Sequence, residues 1–276
     1  MLRALLLLVV CLIWVSPVQG QTPSEQVRLA GIVLKWLRTD KQANYDRAAA
    51  LIEQAAKGGA KIVCTTECFL DGYAIKDKSI PLETYRALGE PIPDGAYFQK
   101  LAQLADRLDI WLVAGMLEAD GEQRFNTAVL IDAEGKLAGR YRKHKLEHEL
   151  VRNTPGDQTP HFDTPYGRLG LMICADRRDS DLVQRLCKPG LDLLICPSGG
   201  MFGPKSNDPI LQARSQENAV PILFVHPAEF LVTDAKGIVR SQQLLGDRLE
   251  VEAADVGSTA DSKEVFFFDL PLKRMK

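Results

Sequence analysis

Short apolar runs alternate along this chain with stretches in which apolar residues recur every three or four positions. Val27 to Trp36 is rich in Val, Leu and Ile and predicts a first strand. Asp40 then stands at a helix N-cap position, and Ala48, Leu51, Ile52 and Ala55 mark one helical face that ends at Gly58-Gly59. Lys61 to Thr65 predicts a buried strand, and residues 70–94, with Gly, Pro and mixed charge, predict a loop. Phe98, Leu101, Leu104 and Leu108 predict a helix over Tyr97 to Leu108, followed by a buried strand from Ile110 to Leu117. The turn signals Ala119-Asp120-Gly121-Glu122 and Asp132-Ala133-Glu134-Gly135 accompany strands at Asn126–Ile131 and Leu137–Tyr141. Residues 144–160 are charged and irregular, which suits an active-site loop. Leu169 to Ile173 predicts a strand ending at Cys174, and a helix begins over Asp181 to Leu186. A strand at Leu191–Ile195, a helix at Pro209–Ala219 and strands at Ile222–Val225 and Val265–Leu270 complete the pattern. Buried strands alternating with helices, plus hairpins, predict an α/β fold with a large mixed sheet system.

The first residues follow a different pattern. Met1-Leu2-Arg3 is short and basic, Ala4 to Val15 is apolar, and Ser16-Pro17-Val18-Gln19-Gly20 places small residues at cleavage positions. This predicts a secretory signal peptide over residues 1–20 and an exported protein, periplasmic or secreted, after cleavage near Gly20. The apolar stretch is short for a membrane span and nothing later reads as one, so no membrane span is expected in the mature chain. Cleavage leaves residues 21–276, a length that suits one large domain. It removes one cation, Arg3, and moves the formal charge from −2 to −3. With no basic patch, nucleic acid is not expected as a partner. Five cysteines remain: Cys64, Cys68, Cys174, Cys187 and Cys196. The odd count fits one working thiol and few or no disulfides. Cys64, Cys187 and Cys196 sit among aliphatic residues as core thiols, whereas Cys68, next to Glu67, could line a pocket.

Glu67, Lys143 and Cys174 each stand just past an apolar run. A carboxylate, an ammonium and a thiol brought together can do covalent amide chemistry. The carboxylate takes the thiol proton, the thiolate attacks, and the ammonium holds the developing oxyanion. Cys174, between a strand end and a following helix, would meet backbone N–H groups that favour a thiolate.

The segments that carry these residues have neighbours in a specific order: Tyr141-Arg142-Lys143 with Leu146, Thr154-Pro155-Gly156-Asp157, Tyr166-Gly167-Arg168-Leu169-Gly170, Pro197-Ser198 and Ala213-Arg214-Ser215-Gln216-Glu217-Asn218. In that order, from about Val27 to Leu270, the chain resembles the carbon–nitrogen hydrolases of the nitrilase superfamily. The resemblance implies a four-layer αββα sandwich, a Glu67-Lys143-Cys174 triad, no cofactor or metal, and pairing through helical faces into homodimers or larger homo-oligomers. It also implies that Glu149 is a second glutamate positioning substrate and lysine, and that the N–H of Ala175 shares the oxyanion with Lys143. Cys174-Ala175-Asp176-Arg177-Arg178 further resembles the Cys-Asn-Asp-Arg-Arg segment of N-carbamoyl-D-amino-acid amidohydrolases, which implies that Arg177 and Arg178 grip a substrate carboxylate. The expected activity is hydrolysis of a small linear amide or N-carbamoyl group through a thioester. The alternatives are a nitrilase, an acyl-transferring relative, or a small-molecule binding protein without turnover. One competing pattern, His144-Lys145-Leu146-Glu147-His148, matches that of inverted zinc peptidases, but it follows a strand and runs into a Pro-Gly loop rather than lying on one helical face.

Overall fold

Side-chain alternation along the first strand sets the layers. The computed structural model describes residues 26–200, 203–245 and 264–271, and the expected signal peptide lies outside them. In β1 (Gln26–Ile32), Val27 and Leu29 enter one hydrophobic core, and Ala30 and Ile32 enter another. Successive strand side chains point to opposite faces, so a strand buried on both faces must have a layer on each side. The second core is filled by α1 (Lys41–Lys57) and α3 (Ala96–Leu108), through Ala48, Ile52, Phe98 and Leu101. Asp40 caps α1 by accepting from the Ala43 N–H at 3.0 Å, which stabilises the helix by about 1 kcal/mol.

The first sheet also contains β2 (Ile62–Cys64), β4 (Trp111–Asp120), β5 (Gln123–Ile131), β6 (Leu137–Arg142) and β13 (Val265–Pro271). Its order is β13-β1-β2-β4-β5-β6, with β3 (Glu90–Pro91) pairing to β4. β1, β2 and β4 run parallel, while β13, β5 and β6 add antiparallel at the flanks. The second sheet is built from β7 (His161–Thr164), β8 (Gly167–Leu171), β9 (Leu193–Pro197), β10 (Ile222–His226), β11 (Glu229–Thr233) and β12 (Val239–Leu244). Its order is β12-β11-β10-β9-β8-β7, again with a parallel centre, β8, β9 and β10. The two sheets pack face to face through Leu29, Val113, Leu171, Ile195, Val225 and Phe230. α4 (Ser180–Cys187) and α5 (Pro204–Asn218) cover the outer face of the second sheet through Leu182, Leu186 and Leu211. The layers are therefore helix, sheet, sheet, helix, the sandwich the sequence predicts.

Several local expectations change. The segment 70–94 is not only loop: it holds a 3-10 turn at Ala74–Lys76, α2 (Leu82–Ala87) and β3. α5 begins at Pro204 rather than Pro209, so Pro209 lies inside the helix. β7, β11 and β12 add to the expected strands. Cys64 and Cys196 are fully buried as expected, but Cys187 is only partly buried. All five cysteines among the described residues are free thiols.

Candidate active site

The three predicted residues all arrive from carboxyl ends of strands. Glu67 follows β2, Lys143 follows β6 directly, and Cys174 opens a 3-10 turn, Cys174–Arg178, beyond β8. That end of an α/β sheet is where chains diverge and leave a crevice. The Glu67 loop crosses tightly over β4. A Cβ on Gly115 would lie 2.4 Å from the Thr66 carbonyl oxygen and 2.9 Å from the Glu67 Cα, so only glycine lets the loop pass. Along β6, alternation sends Tyr141 and Lys143 inward and Arg140 and Arg142 outward. The arginines are not a solvated basic stretch: both reach the buried carboxylate of Glu118, and Arg142 lies 3.7 Å over the Phe125 ring.

Lys143 is buried between two carboxylates. Its Nζ donates to Glu67 Oε1 at 2.7 Å and to Glu149 Oε1 at 2.5 Å. Asn126, on β5, donates through Nδ2 to Glu67 Oε1 at 2.7 Å and to Glu149 Oε2 at 3.0 Å. Asn153 also donates to Glu149 Oε2, at 3.2 Å, and Tyr85 in turn donates to Asn153. Two carboxylates and one ammonium leave an excess negative charge at buried side chains, and desolvation makes that charge costly. The proton affinity of Glu67 is accordingly raised, first by burial and then by the Glu149 charge, against the pull of Lys143 and the Asn126 hydrogen bond. Burial works against the Lys143 ammonium, but Glu149 and Glu67 outweigh it and keep it charged well above its usual range. Glu67 can thus accept a proton beside a cation that stays charged.

Glu67 Oε2 is buried and has no hydrogen-bond partner. It faces the Gly199-Gly200 dipeptide: a Cβ on Gly199 would lie 3.2 Å from Oε2, and one on Gly200 would lie 3.1 Å from Cys174 Sγ. The Glu67 carboxylate oxygen and the Cys174 sulfur therefore border the same two glycines. Cys174 itself is held at φ 45°, a left-handed conformation that a non-glycine residue adopts only when its surroundings impose it.

Asp176 imposes it. This buried carboxylate accepts from the Tyr141 hydroxyl at 2.8 Å and from the backbone N–H groups of Ile173 at 2.9 Å, His144 at 3.2 Å and Lys145 at 2.8 Å. One side chain thus ties the turn bearing Cys174 to the strand end bearing Lys143. Neither this role nor that of Asn126 is visible in a sequence pattern, since nothing local marks an Asp or Asn as bridging.

The arginine pair divides. Arg177 is buried: it donates through Nη1 to the Cys174 carbonyl, approaches Sγ at 3.6 Å, and donates through Nη2 to Asn207 Oδ1. Its guanidinium also lies 5.6 Å from the Phe224 ring centre. Both Nη atoms, expected to hold a substrate carboxylate, are engaged within the protein. Arg178 is one-third exposed and meets Glu147 at 3.1 Å. A cleft of about 350 Å³ opens over Cys174, lined by Tyr73, Lys76, Lys78, His148, Ala175 and Arg178 among others. Cys68, which could have lined it, is buried instead against Trp36 and Tyr73. The histidines of the competing pattern face different neighbours: His144 stacks on Tyr141 and meets the Gln158 carbonyl, while His148 meets the edge of Tyr73. Among the described residues, no three His, Cys, Asp or Glu side chains form a candidate metal cluster.

Known proteins share this organisation. The family model for carbon-nitrogen hydrolases matches residues 24–245. Omega-amidase NIT2 of Homo sapiens is 34% identical over 216 residues, covering 73% of this chain and 74% of that protein. Omega-amidase NIT3 of Saccharomyces cerevisiae is 29% identical over 225 residues, covering 75% and 76%. The crystal structure of Saccharomyces cerevisiae Nit3, a member of branch 10 of the nitrilase superfamily, superposes with a TM-score of 0.75 at 26% identity, over 89% of this chain and 90% of that one. An amidase from Nesterenkonia sp. shares the fold with a TM-score of 0.72 at 22% identity, over 90% and 91%. The chain belongs to the carbon–nitrogen hydrolases of the nitrilase superfamily and is an amidohydrolase.

Proposed function

We propose that this protein hydrolyses the terminal amide or N-carbamoyl group of a small linear substrate that carries a carboxylate, through a thioester on Cys174. The observation that carries the reading is the shared approach of Glu67 Oε2 and Cys174 Sγ to Gly199-Gly200, beside the Lys143 ammonium. Glu67 takes the thiol proton as sulfur bonds to the carbonyl carbon. The oxyanion rests on Lys143 and the Ala175 N–H, donors already fixed before reaction. Collapse breaks the C–N bond, and the proton held by Glu67 leaves with ammonia. Water then gives a proton to Glu67 and attacks the thioester, the C–S bond breaks, and the thiol is restored. Glu149 keeps Lys143 in place throughout.

The carboxylate contact falls to Arg178 with Lys76 and Lys78, the cations along the cleft. The Arg178–Glu147 pair is largely exposed, and such pairs contribute little, so a substrate carboxylate can replace Glu147 at small cost. Similarity to proteins named omega-amidases supports a terminal amide as the bond cleaved here. The functional unit is proposed to be an exported homodimer or larger assembly.

A Glu67→Gln variant incubated with a panel of amides and ureas should accumulate an adduct on the Cys174 peptide, and its mass names the acyl group. An adduct on Cys187 rather than Cys174 would overturn the mechanism, whereas no adduct at all would show that Glu67 is needed to form the thioester as well as to hydrolyse it. Arg178→Leu should weaken turnover of a carboxylate-bearing amide by about tenfold or more and spare an uncharged amide of equal length. Equal losses on both would remove the carboxylate from the proposal.

A further inference from the structure

Behind Arg177 lies a second buried polar cluster that the proposed reaction does not use. It is formed by α5 and the β11–β12 hairpin. Asn207 and Glu229 are both 1% exposed. Gln242, on β12, donates through Nε2 to Asp208 Oδ2 at 2.7 Å and to Glu229 Oε1 at 2.8 Å. The other oxygens, Asp208 Oδ1 and Glu229 Oε2, are buried without a donor. The Gln242 amide thus bridges the two carboxyl groups, and the proton affinity of Glu229 is raised by Asp208 and lowered by Asn207, as a neighbouring donor would lower it. Among the described residues the cluster reaches the nucleophile through Arg177, whose Nη2 donates to Asn207 Oδ1.

An asparagine side chain has one accepting end and one donating end. Asn207 can present its oxygen to Arg177 only if its nitrogen faces the other way, and Glu229 supplies the acceptor on that side. We propose that Asn207 and Glu229, braced by Asp208 through Gln242, are positioning residues that clamp the Arg177 guanidinium against Cys174, so that the charge gained by sulfur meets a fixed cation.

Burial of the groups supports this reading. A guanidinium that is 2% exposed needs fixed acceptors, and its remaining contacts are the Cys174 carbonyl, Cys174 Sγ and the Phe224 face. Burial, then Asp208, raises the proton affinity of Glu229 to about 7, so Glu229 can hold a proton near neutral pH. Negative charge beyond Asn207 balances Arg177 when sulfur is neutral in the thioester. Other groups act on the sulfur too: Lys143 from β6, Tyr73 from the Glu67 loop and Cys196 from β9. His226, on β10, is kept neutral by burial and contributes no charge.

The inference rests on Cys174 being the nucleophile, and the experiment separates the two claims. Iodoacetamide alkylation of Cys174, followed by peptide mapping at fixed neutral pH, reads thiolate reactivity without any amide substrate. Asn207→Leu and Glu229→Leu should each slow it by about tenfold and lower kcat with KM little changed. Glu229→Gln keeps an acceptor oxygen for Asn207 and should recover most of the rate. Ser215→Ala breaks the buried hydroxyl contact with Thr233 in the same α5–β11 packing and should lower stability without slowing alkylation. If the leucine variants do not fold, half-buried Gln242→Ala should still slow alkylation about threefold, since a weaker brace loses a fraction of one hydrogen bond. Wild-type rates in Glu229→Leu or Gln242→Ala, or equal slowing in Ser215→Ala, would overturn the clamp. A wild-type Cys174 that resists alkylation would instead overturn the nucleophile assignment.

Discussion

The two walls of the cleft hold their charges in different ways. The first sheet contributes Glu67, Lys143 and Asn126, with Glu149 from the loop after β6. These groups exchange short hydrogen bonds, and among the described atoms only Glu67 Oε2 and Asn126 Oδ1 are left without a partner. Their backbone at Asn126 and Lys143 is ordinary strand, paired across β5 and β6, with the Lys143 N–H donating to the Asn126 carbonyl at 2.9 Å. The second sheet contributes a nucleophile on a left-handed residue and a buried arginine whose Nε has no partner. Proton storage is thus placed on the rigid, hydrogen-bonded wall, where Glu67 is not itself left-handed although the next residue, Cys68, is (φ 46°), whereas on the other wall the left-handed residue is Cys174, the proposed nucleophile itself. Strain is affordable there because Asp176 pins the turn from outside.

The sharpest way to break this division is to empty each wall in turn. Cys174→Ala should abolish turnover and leave the fold intact, because the sulfur is the group that bonds to substrate. Lys143→Ala should cost about a hundredfold to a thousandfold in kcat, the usual loss for one oxyanion donor. It also leaves Glu67 and Glu149 facing each other without a cation, so thermal stability should fall as well. Steady-state rates with melting curves test both. A Lys143→Ala enzyme near full activity would end the assignment of the rigid wall.

Asp176 joins the walls, so its loss should affect both at once. Asp176→Asn replaces one accepting oxygen with a donating nitrogen, and either orientation sets that nitrogen against two existing donors. A cost of about 2–4 kcal/mol in stability is expected, with kcat lower by roughly tenfold. Stability lost with kcat unchanged would show that the turn keeps its geometry without the bridge.

Much of this could be read in the sequence, for physical reasons that also explain what could not. β1, β2, β4 and β10 are apolar runs buried on both faces, and α3 has one apolar stripe, so burial itself writes their pattern. β12 is an edge strand, half exposed and polar, and writes none. α2 is only Leu82–Ala87, too short for a stripe, and Pro209 reads as a helix start although the helix begins a turn earlier. In the site, Glu67, Lys143 and Cys174 are legible because the chemistry restricts the residue type. Asn126, Asp176 and Asn207 act by joining distant segments, and their roles depend on neighbours that only folding supplies. Arg177, which lines the cleft while both its Nη atoms are engaged by the protein, shows the reverse limit. Its position beside the thiol is legible, but whether it faces substrate or protein depends on Asn207, thirty residues away.

The finest probe of the comparison is the pH dependence, which reads how the rigid wall tunes its base. Glu67 must be ionised to take the thiol proton, so kcat/KM should fall as pH falls through its proton affinity. Burial raises that affinity, so the acid limb should lie above the ordinary carboxylate value of about 4.3. Asn126 opposes the rise by donating to Oε1, a hydrogen bond that favours the charged form. Asn126→Leu removes this donor at nearly equal volume, so the neutral form gains and the limb should move to higher pH. Lys143 stays charged throughout and adds no step of its own in this range. Profiles over about pH 4 to 9, on wild type and variant with a neutral amide, give both limbs directly. A limb at or below the ordinary carboxylate value, or a downward move in Asn126→Leu, would mean that Glu67 is not the group whose ionisation limits the rate.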